Sequence, residues 1–255
     1  MNGDDARTPR LAGIDGQLLR IHIRPGDPRR TPLLLVNGIG AGLESFDPLV
    51  DALDPHRPVI RFDPPGAGGS PAPTRPYRLP GLARTMVALL DVLDHERVDV
   101  LGVSWGGGVA QQFARTARGR CRRLVLVATG TGTLMMPATP RVLARMATPR
   151  RYTDPDFLRR VAPEIYGGTV RDDPVTAAHL LHRHSRAGSH RGYALQLLAA
   201  AGWGPSRTDR PARTPRSADR EVPERHIGHA PHRPEGGHPV TDDLQVGIGE
   251  ALSTD

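Results

Sequence analysis

The chain contains no lysine; all 34 of its basic residues are arginine. So uniform a choice reads as a GC-rich coding bias rather than as a built binding surface. The formal net charge of +7 favours acidic partners or an anionic surface. No basic stripe interleaved with aromatics and no recognisable binding module accompanies that charge, so no nucleic-acid partner is expected. Cys121 is the single cysteine, which excludes an intramolecular disulfide and fits a reducing compartment. A lone cysteine of this kind is expected to be an inert core residue. Aromatics make up only 4% of the chain, so the core has to be built from Leu, Val and Ala. No apolar run approaches the roughly 20 residues that span a bilayer. The segment MNGDDARTPR has no apolar h-region, so no signal peptide is visible and the cytoplasm is the expected location.

The 255 residues suffice for one α/β domain with an inserted cap. Residues 17–23 (QLLRIHI) read as a strand of an N-terminal hairpin. Leu33 to Val36, Val59 to Asp63, Val98 to Val103 and Leu124 to Ala128 are short apolar runs bounded by turn residues, the pattern of strands buried on both faces. Helical spacing over 80–94 places Leu82, Met86, Leu89, Leu90 and Leu93 on one face, and 106–118 forms a second helix. Strands alternating with helices predict βαβ units and a mostly parallel sheet. Residues 10–130 therefore read as an α/β core. Residues 131–203 break into Pro-punctuated helical pieces with no strand run and read as a helical cap. Residues 204–255 are rich in Pro, Arg and His, lack aromatics from 205 onward, and have about a fifth of their residues as Ala, Val, Ile or Leu. Such a composition buries too little apolar surface to offset chain entropy, so a poorly ordered tail is expected.

Gly102-Val103-Ser104-Trp105-Gly106 is a G-x-S-x-G motif placed between an apolar strand and a helix. That is the setting of a nucleophile elbow, in which a strained turn lifts a serine hydroxyl to the end of the sheet. Ser104 is the expected nucleophile. The N–H of Trp105 points to where a tetrahedral oxyanion forms, and a second donor is expected from the loop after the first buried strand, where Asn37-Gly38-Ile39-Gly40 offers the N–H of Ile39. Asp63 ends a strand before PPGAGG and reads as structural, bonded to the backbone of that turn.

With these residues placed, the chain from about 10 to 203 resembles the intracellular poly(3-hydroxyalkanoate) depolymerases of the α/β-hydrolase superfamily. The stretches that carry the likeness are PLLLVNGIGAGLESFDPLV, RFDPPGAGGSPAP, GVSWGGGVAQQFA, RLVLVATGTG, ATPRRYTDPDFLRRVAPEIYGG and GYALQLLAAAGW. The resemblance implies a serine esterase that cleaves a stored polyester, with side chains of medium length, at the surface of an intracellular granule. It implies neither a metal nor an organic cofactor.

The family pattern continues after Gly-Trp with an apolar strand, an Asp-bearing loop, a helix, another strand and a Gly-His pair. Here Gly202-Trp203 is followed by neither strand, so the C-terminal strands of the sheet are degenerate or missing. Two fragments still resemble the family: Asp219-Arg220-Glu221-Val222-Pro223, like a D-x-x-V-P acid loop, and Gly236-Gly237-His238, like the histidine turn. Asp219 and His238 are thus the candidate orienter and base, in the family order Ser, Asp, His. Chance matches in a tail full of His and Asp are the competing explanation. His226, His229 and His232 have only proximity in their favour, and His179, His182 and His184 read as the surface of a cap helix. Two other functions stay open: a general carboxylesterase or lipase, and a catalytically impaired homologue that only binds.

Overall fold

The computed structural model describes residues 8–130, 139–166, 172–173, 188–201 and 203. All of them lie in the first of the two units into which the chain divides, 1–204 and 205–255. The chain opens with a hairpin, β1 (Arg10–Ile14) and β2 (Gln17–Arg24), paired antiparallel. Its turn is Asp15-Gly16 with φ of 49° and 71°, the conformation that two-residue hairpins with right-handed twist require. Then follow β3 (Leu33–Val36), a 3₁₀ turn (Leu43–Phe46), α1 (Asp47–Ala52), β4 (Val59–Phe62), α2 (Leu79–Val92), β5 (Val98–Val103), α3 (Trp105–Thr116) and β6 (Cys121–Val127). The strand order is β1-β2-β4-β3-β5-β6; β3 is parallel to both β4 and β5, and β5 to β6. This is the expected mostly parallel sheet, and its order reverses at β3, which places the β3 and β5 loops side by side at one end.

Alternation along the strands fills two cores. Leu34, Val36, Ile60, Phe62, Val98 and Val100 pack with Leu82, Met86, Leu89 and Leu90 of α2 and with Val109, Ala110 and Phe113 of α3. Leu33, Leu35 and Val59 face the other way, toward Phe46 and Val50. Each fully buried Leu or Phe contributes about 1.5–3 kcal/mol, so these two layers hold the sheet. β6 departs from the sequence expectation. It starts at Cys121, three residues early, because Cys121 pairs with Val98 and Arg123 with Asp99, with Arg122 left at a break in register between them. It is also the last strand among the described residues, with Leu124, Val125 and Val127 exposed. Cys121 at its start is half-buried, and burial, then the Asp99 charge, pushes its thiol up, which keeps it an unreactive thiol.

Arg122 on that strand answers to Asp99 of β5. Its carboxylate accepts from Arg122 Nε at 2.8 Å and Nη2 at 2.7 Å, and from Arg57. The Arg122 hydrogen bonds, then Arg57, hold this carboxyl below its usual range. A carboxylate lowered on folding stabilises the native state above its unfolded value near 3.8 and loses that contribution as pH falls through its folded value. Wild-type stability is therefore expected to drop below about pH 4. Asp99→Asn should cost about 2–3 kcal/mol at pH 7, less than a fully buried pair because both guanidinium groups reach solvent, and should flatten that part of the acid limb in urea titrations. An acid limb unchanged by the substitution would mean other carboxylates carry it.

Among the described residues of 139–203 there are four helices and no strand: α4 (Pro140–Met146), α5 (Arg150–Thr153), α6 (Pro155–Ile165) and α7 (His190–Ala200). Asp154 caps α6 by accepting the Phe157 N–H at 2.9 Å, and Ser189 caps α7 by accepting the Gly192 N–H at 2.9 Å. α7 docks on the loop between β4 and α2. Arg191 donates to Thr74 O, Arg78 donates to Ala201 O, and Gly66 and Gly192 touch backbone to backbone: a Cβ on Gly192 would fall inside contact distance of the Gly66 carbonyl.

Candidate active site

Ser104 stands between β5 and α3 with φ 52° and ψ −118°. A non-glycine residue in that region is strained and persists only where its surroundings hold it. They do so on both sides: the Ser104 N–H donates to Val127 O at 2.9 Å, and the Ser104 carbonyl accepts from Gly107 N–H at 2.9 Å. The flanking glycines are needed for close approach. A Cβ on Gly102 would lie 2.7 Å from Ala110 Cβ, and one on Gly106 would collide with the carbonyl oxygens of Val36 and Asn37. Ser104 itself is half-buried, so its hydroxyl is not sealed in the core.

The loop after β3 passes directly over the elbow, because Val36 is in register with Gly102. A Cβ on Gly38 would stand 3.6 Å from Ser104 Cβ. Asn37 is buried and closes this loop on itself: its Nδ2 donates to Gly42 O at 2.6 Å and to Ser45 Oγ, and its Oδ1 accepts from Gly38 N–H at 2.9 Å. Ile39 follows. Trp105 opens α3, so its N–H belongs to the first turn, which helix geometry leaves without an intrahelical acceptor and which carries partial positive charge. Ser104, the loop after β3 and the start of α3 therefore converge at one end of the sheet.

Asp63, a carboxylate near this end, is structural as expected. It accepts from Leu43 N–H at 2.7 Å, Gly69 N–H at 2.8 Å and Arg20 Nη1 at 3.2 Å, and burial pushes its carboxyl up. With these donors it is committed to the turn. Asp219, His238, His226, His229, His232, His179, His182 and His184 all lie outside the described residues. Among the described residues no group of three or more His, Cys, Asp or Glu is arranged to hold a metal ion, and no helix is long and apolar enough to cross a membrane.

Sequence reasoning missed Gln196, Tyr152 and Tyr193. Gln196 is fully buried on α7; its Oε1 accepts from Gly40 N–H at 2.8 Å, and its carbonyl accepts from Trp105 Nε1 at 2.9 Å. Tyr152 donates its hydroxyl to Ile39 O at 2.7 Å, and Tyr193 donates to Met146 O. One signal was available: Gln196 interrupts an otherwise apolar helical face formed by Tyr193 and Ala199.

A family model for the alpha/beta hydrolase fold matches residues 31–211. The poly(3-hydroxyalkanoate) depolymerase of Ectopseudomonas oleovorans is 50% identical over 194 residues, which cover 76% of this chain and 68% of that protein. Among solved structures, a hydrolase from Pseudomonas aeruginosa PA01 superposes with a TM-score of 0.61 at 28% identity, covering 76% of this chain and 72% of that one. The enol-lactonase from Burkholderia xenovorans LB400 does so with a TM-score of 0.57 at 25% identity, covering 74% and 72%.

Proposed function

The chain belongs to the α/β-hydrolase fold family, in the group of the poly(3-hydroxyalkanoate) depolymerases, and on that premise we propose that it hydrolyses the ester bonds of a poly(3-hydroxyalkanoate) through an acyl-serine intermediate. The observation that carries this is Ser104, held at positive φ on the strand–helix turn beside the loop of Ile39. Ser104 Oγ attacks the ester carbonyl, and the N–H groups of Ile39 and Trp105 receive the oxyanion. His238 takes the serine proton and returns it to the departing hydroxyl of the shortened polymer, while Asp219 fixes its tautomer and stabilises the imidazolium. Water, activated by the same histidine, then releases the hydroxyacyl product and regenerates Ser104.

In this scheme residues 10–130 form the catalytic core, 131–203 the cap over it, and 204–255 the segment that brings base and orienter. The protein works at the surface of a storage granule in the cytoplasm. Support for a polyester rather than a small ester is the half identity to a depolymerase across both core and helical segment.

The test uses the full chain on a dispersion of medium-side-chain polymer, with release of 3-hydroxy acids followed by mass spectrometry and p-nitrophenyl esters as soluble controls. Release from the polymer is expected. Hydrolysis of short soluble esters with none of the polymer would replace depolymerase with general carboxylesterase. His238→Ala should lower kcat by about 10³-fold or more, because the serine loses its base. An unchanged kcat would remove His238 from the mechanism.

A further inference from the structure

Three hydrogen bonds join the helical segment to the loop after β3 and to the elbow, and two of them fall on one peptide of that loop. Tyr152 donates to the carbonyl of Ile39 at 2.7 Å, and Gln196 accepts from the N–H of Gly40 at 2.8 Å. Ile39 C=O and Gly40 N–H are the two polar ends of a single planar unit, so a bond to each fixes its rotation about the chain axis. Ile39 is the residue whose own N–H the mechanism proposed above gives to the oxyanion, and rotating the plane on its C-terminal side changes its ψ and the set of the loop. The third bond runs from Trp105 Nε1 to the carbonyl of Gln196 at 2.9 Å and ties the other oxyanion residue to the same turn of α7.

The surroundings leave this peptide little room. Gly40 sits at φ 75°, and a Cβ there would lie 2.6 Å from the Tyr193 ring and 2.8 Å from the Tyr152 ring. The orientation of the Gln196 amide is fixed by chemistry: the buried Gly40 N–H needs an acceptor, so Oε1 must face it. Its Nε2 is buried with no hydrogen-bond partner among the described residues, so the amide is held through Oε1. A fully buried glutamine is costly unless its hydrogen bonds do something an apolar residue would not.

We propose that Gln196 and Tyr152 are positioning residues that clamp the Ile39–Gly40 peptide, so that docking of the helical segment sets the geometry of the oxyanion hole. The inference rests on the serine-hydrolase function proposed above. It gives the helices a role in rate. Misplacing a donor by a fraction of an ångström weakens a bond that matters only in the transition state, which lowers kcat and leaves KM in place.

Two variants test it: Tyr152→Phe, which removes one hydroxyl from a half-buried ring, and Gln196→Met, which keeps volume and removes the acceptor. Hydrogen exchange at the Gly40 amide reads the clamp without catalysis, and should accelerate by about tenfold or more in Gln196→Met once its acceptor is gone. On a soluble medium-chain ester, each variant should lose about tenfold in kcat, short of the 10²–10³ for deleting a donor outright, with KM held within about twofold. Affinity for a boronic acid, which forms a tetrahedral adduct on Ser104, should fall in parallel with kcat. The double variant should lose less than the product of the two, since both act on one peptide. A folded pair of variants with wild-type kcat overturns the clamp and leaves the hydrolase function standing. So does a rise in KM with kcat unchanged. A Gly40 amide that responds in a protein inert to esters and to fluorophosphonate keeps the clamp and overturns the hydrolase function.

Discussion

Ser104→Ala is expected to lower ester hydrolysis on the order of 10⁶-fold and to abolish covalent labelling by a fluorophosphonate, as removing the nucleophile of an acyl-transfer site does. The substitution is a clean one. Alanine keeps the Cβ and the turn, and the bonds that hold the elbow run through the backbone, Ser104 N–H to Val127 O and Gly107 N–H to Ser104 O. The fold should survive, so a thermal melt within about 2–4 °C of wild type, equivalent to roughly 1 kcal/mol in a chain of this size, is the control. Intact-mass spectrometry reads the label. A folded wild type that takes no fluorophosphonate would sink the acyl-serine mechanism, and label retained in Ser104→Ala would place the nucleophile elsewhere.

Gly106→Ala should have the largest effect on stability. The added Cβ points at the carbonyl oxygens of Val36 and Asn37. Neither can retreat easily. Val36 is laddered to β5 opposite Gly102, and Asn37 is pinned by its own side chain to Gly42 and Ser45. The strain must go into lifting α3 from the sheet, which also opens the core around Val109, Ala110 and Phe113. A loss of about 3 kcal/mol or more is expected, beyond the usual range for overpacking because backbone rather than side chain stands in the way. Gly119→Ala is the matched control. Nothing lies within 4 Å of a Cβ there, so the change should stay within about 0.5 kcal/mol. Urea midpoints of the two variants compare them directly. Near-equal midpoints would mean that the sheet end yields more than its hydrogen bonds suggest.

How much of this was legible beforehand depends on the range of the interactions involved. β3, β4 and β5 announce themselves because strands covered on two faces need unbroken apolar runs, and the elbow because its glycines answer to local sterics. β6 was harder: its first residues are Cys121-Arg122-Arg123, and the carboxylate of Asp99, which holds Arg122, lies on a strand some twenty residues earlier in the chain. α5 was missed because four residues carry no periodicity. The contacts around Ile39 and Gly40 were invisible for a different reason. Tyr152 and Gln196 lie more than a hundred residues along the chain from the loop they hold, and no local pattern encodes a partner at that distance. Asp219 and His238 rest on short fragments outside the described residues, so their part in the mechanism is carried by sequence order alone.

The joint between Gly66 and Gly192 has a consequence for modularity. Segments bridged by side chains can be exchanged among relatives, since a neighbour shifts rotamer to suit. Here the seam is main chain on main chain, with Gly66 at φ 84° and no Cβ on either side. At that point the two segments have no adjustable side chain between them, although Arg191 and Arg78 bridge them nearby, so the two glycines are inherited as a matched pair. A chimera that grafts a foreign helix α7 onto this sheet must carry a glycine at position 192 to meet Gly66. Substrate preference can then drift in the helices only as far as that seam allows.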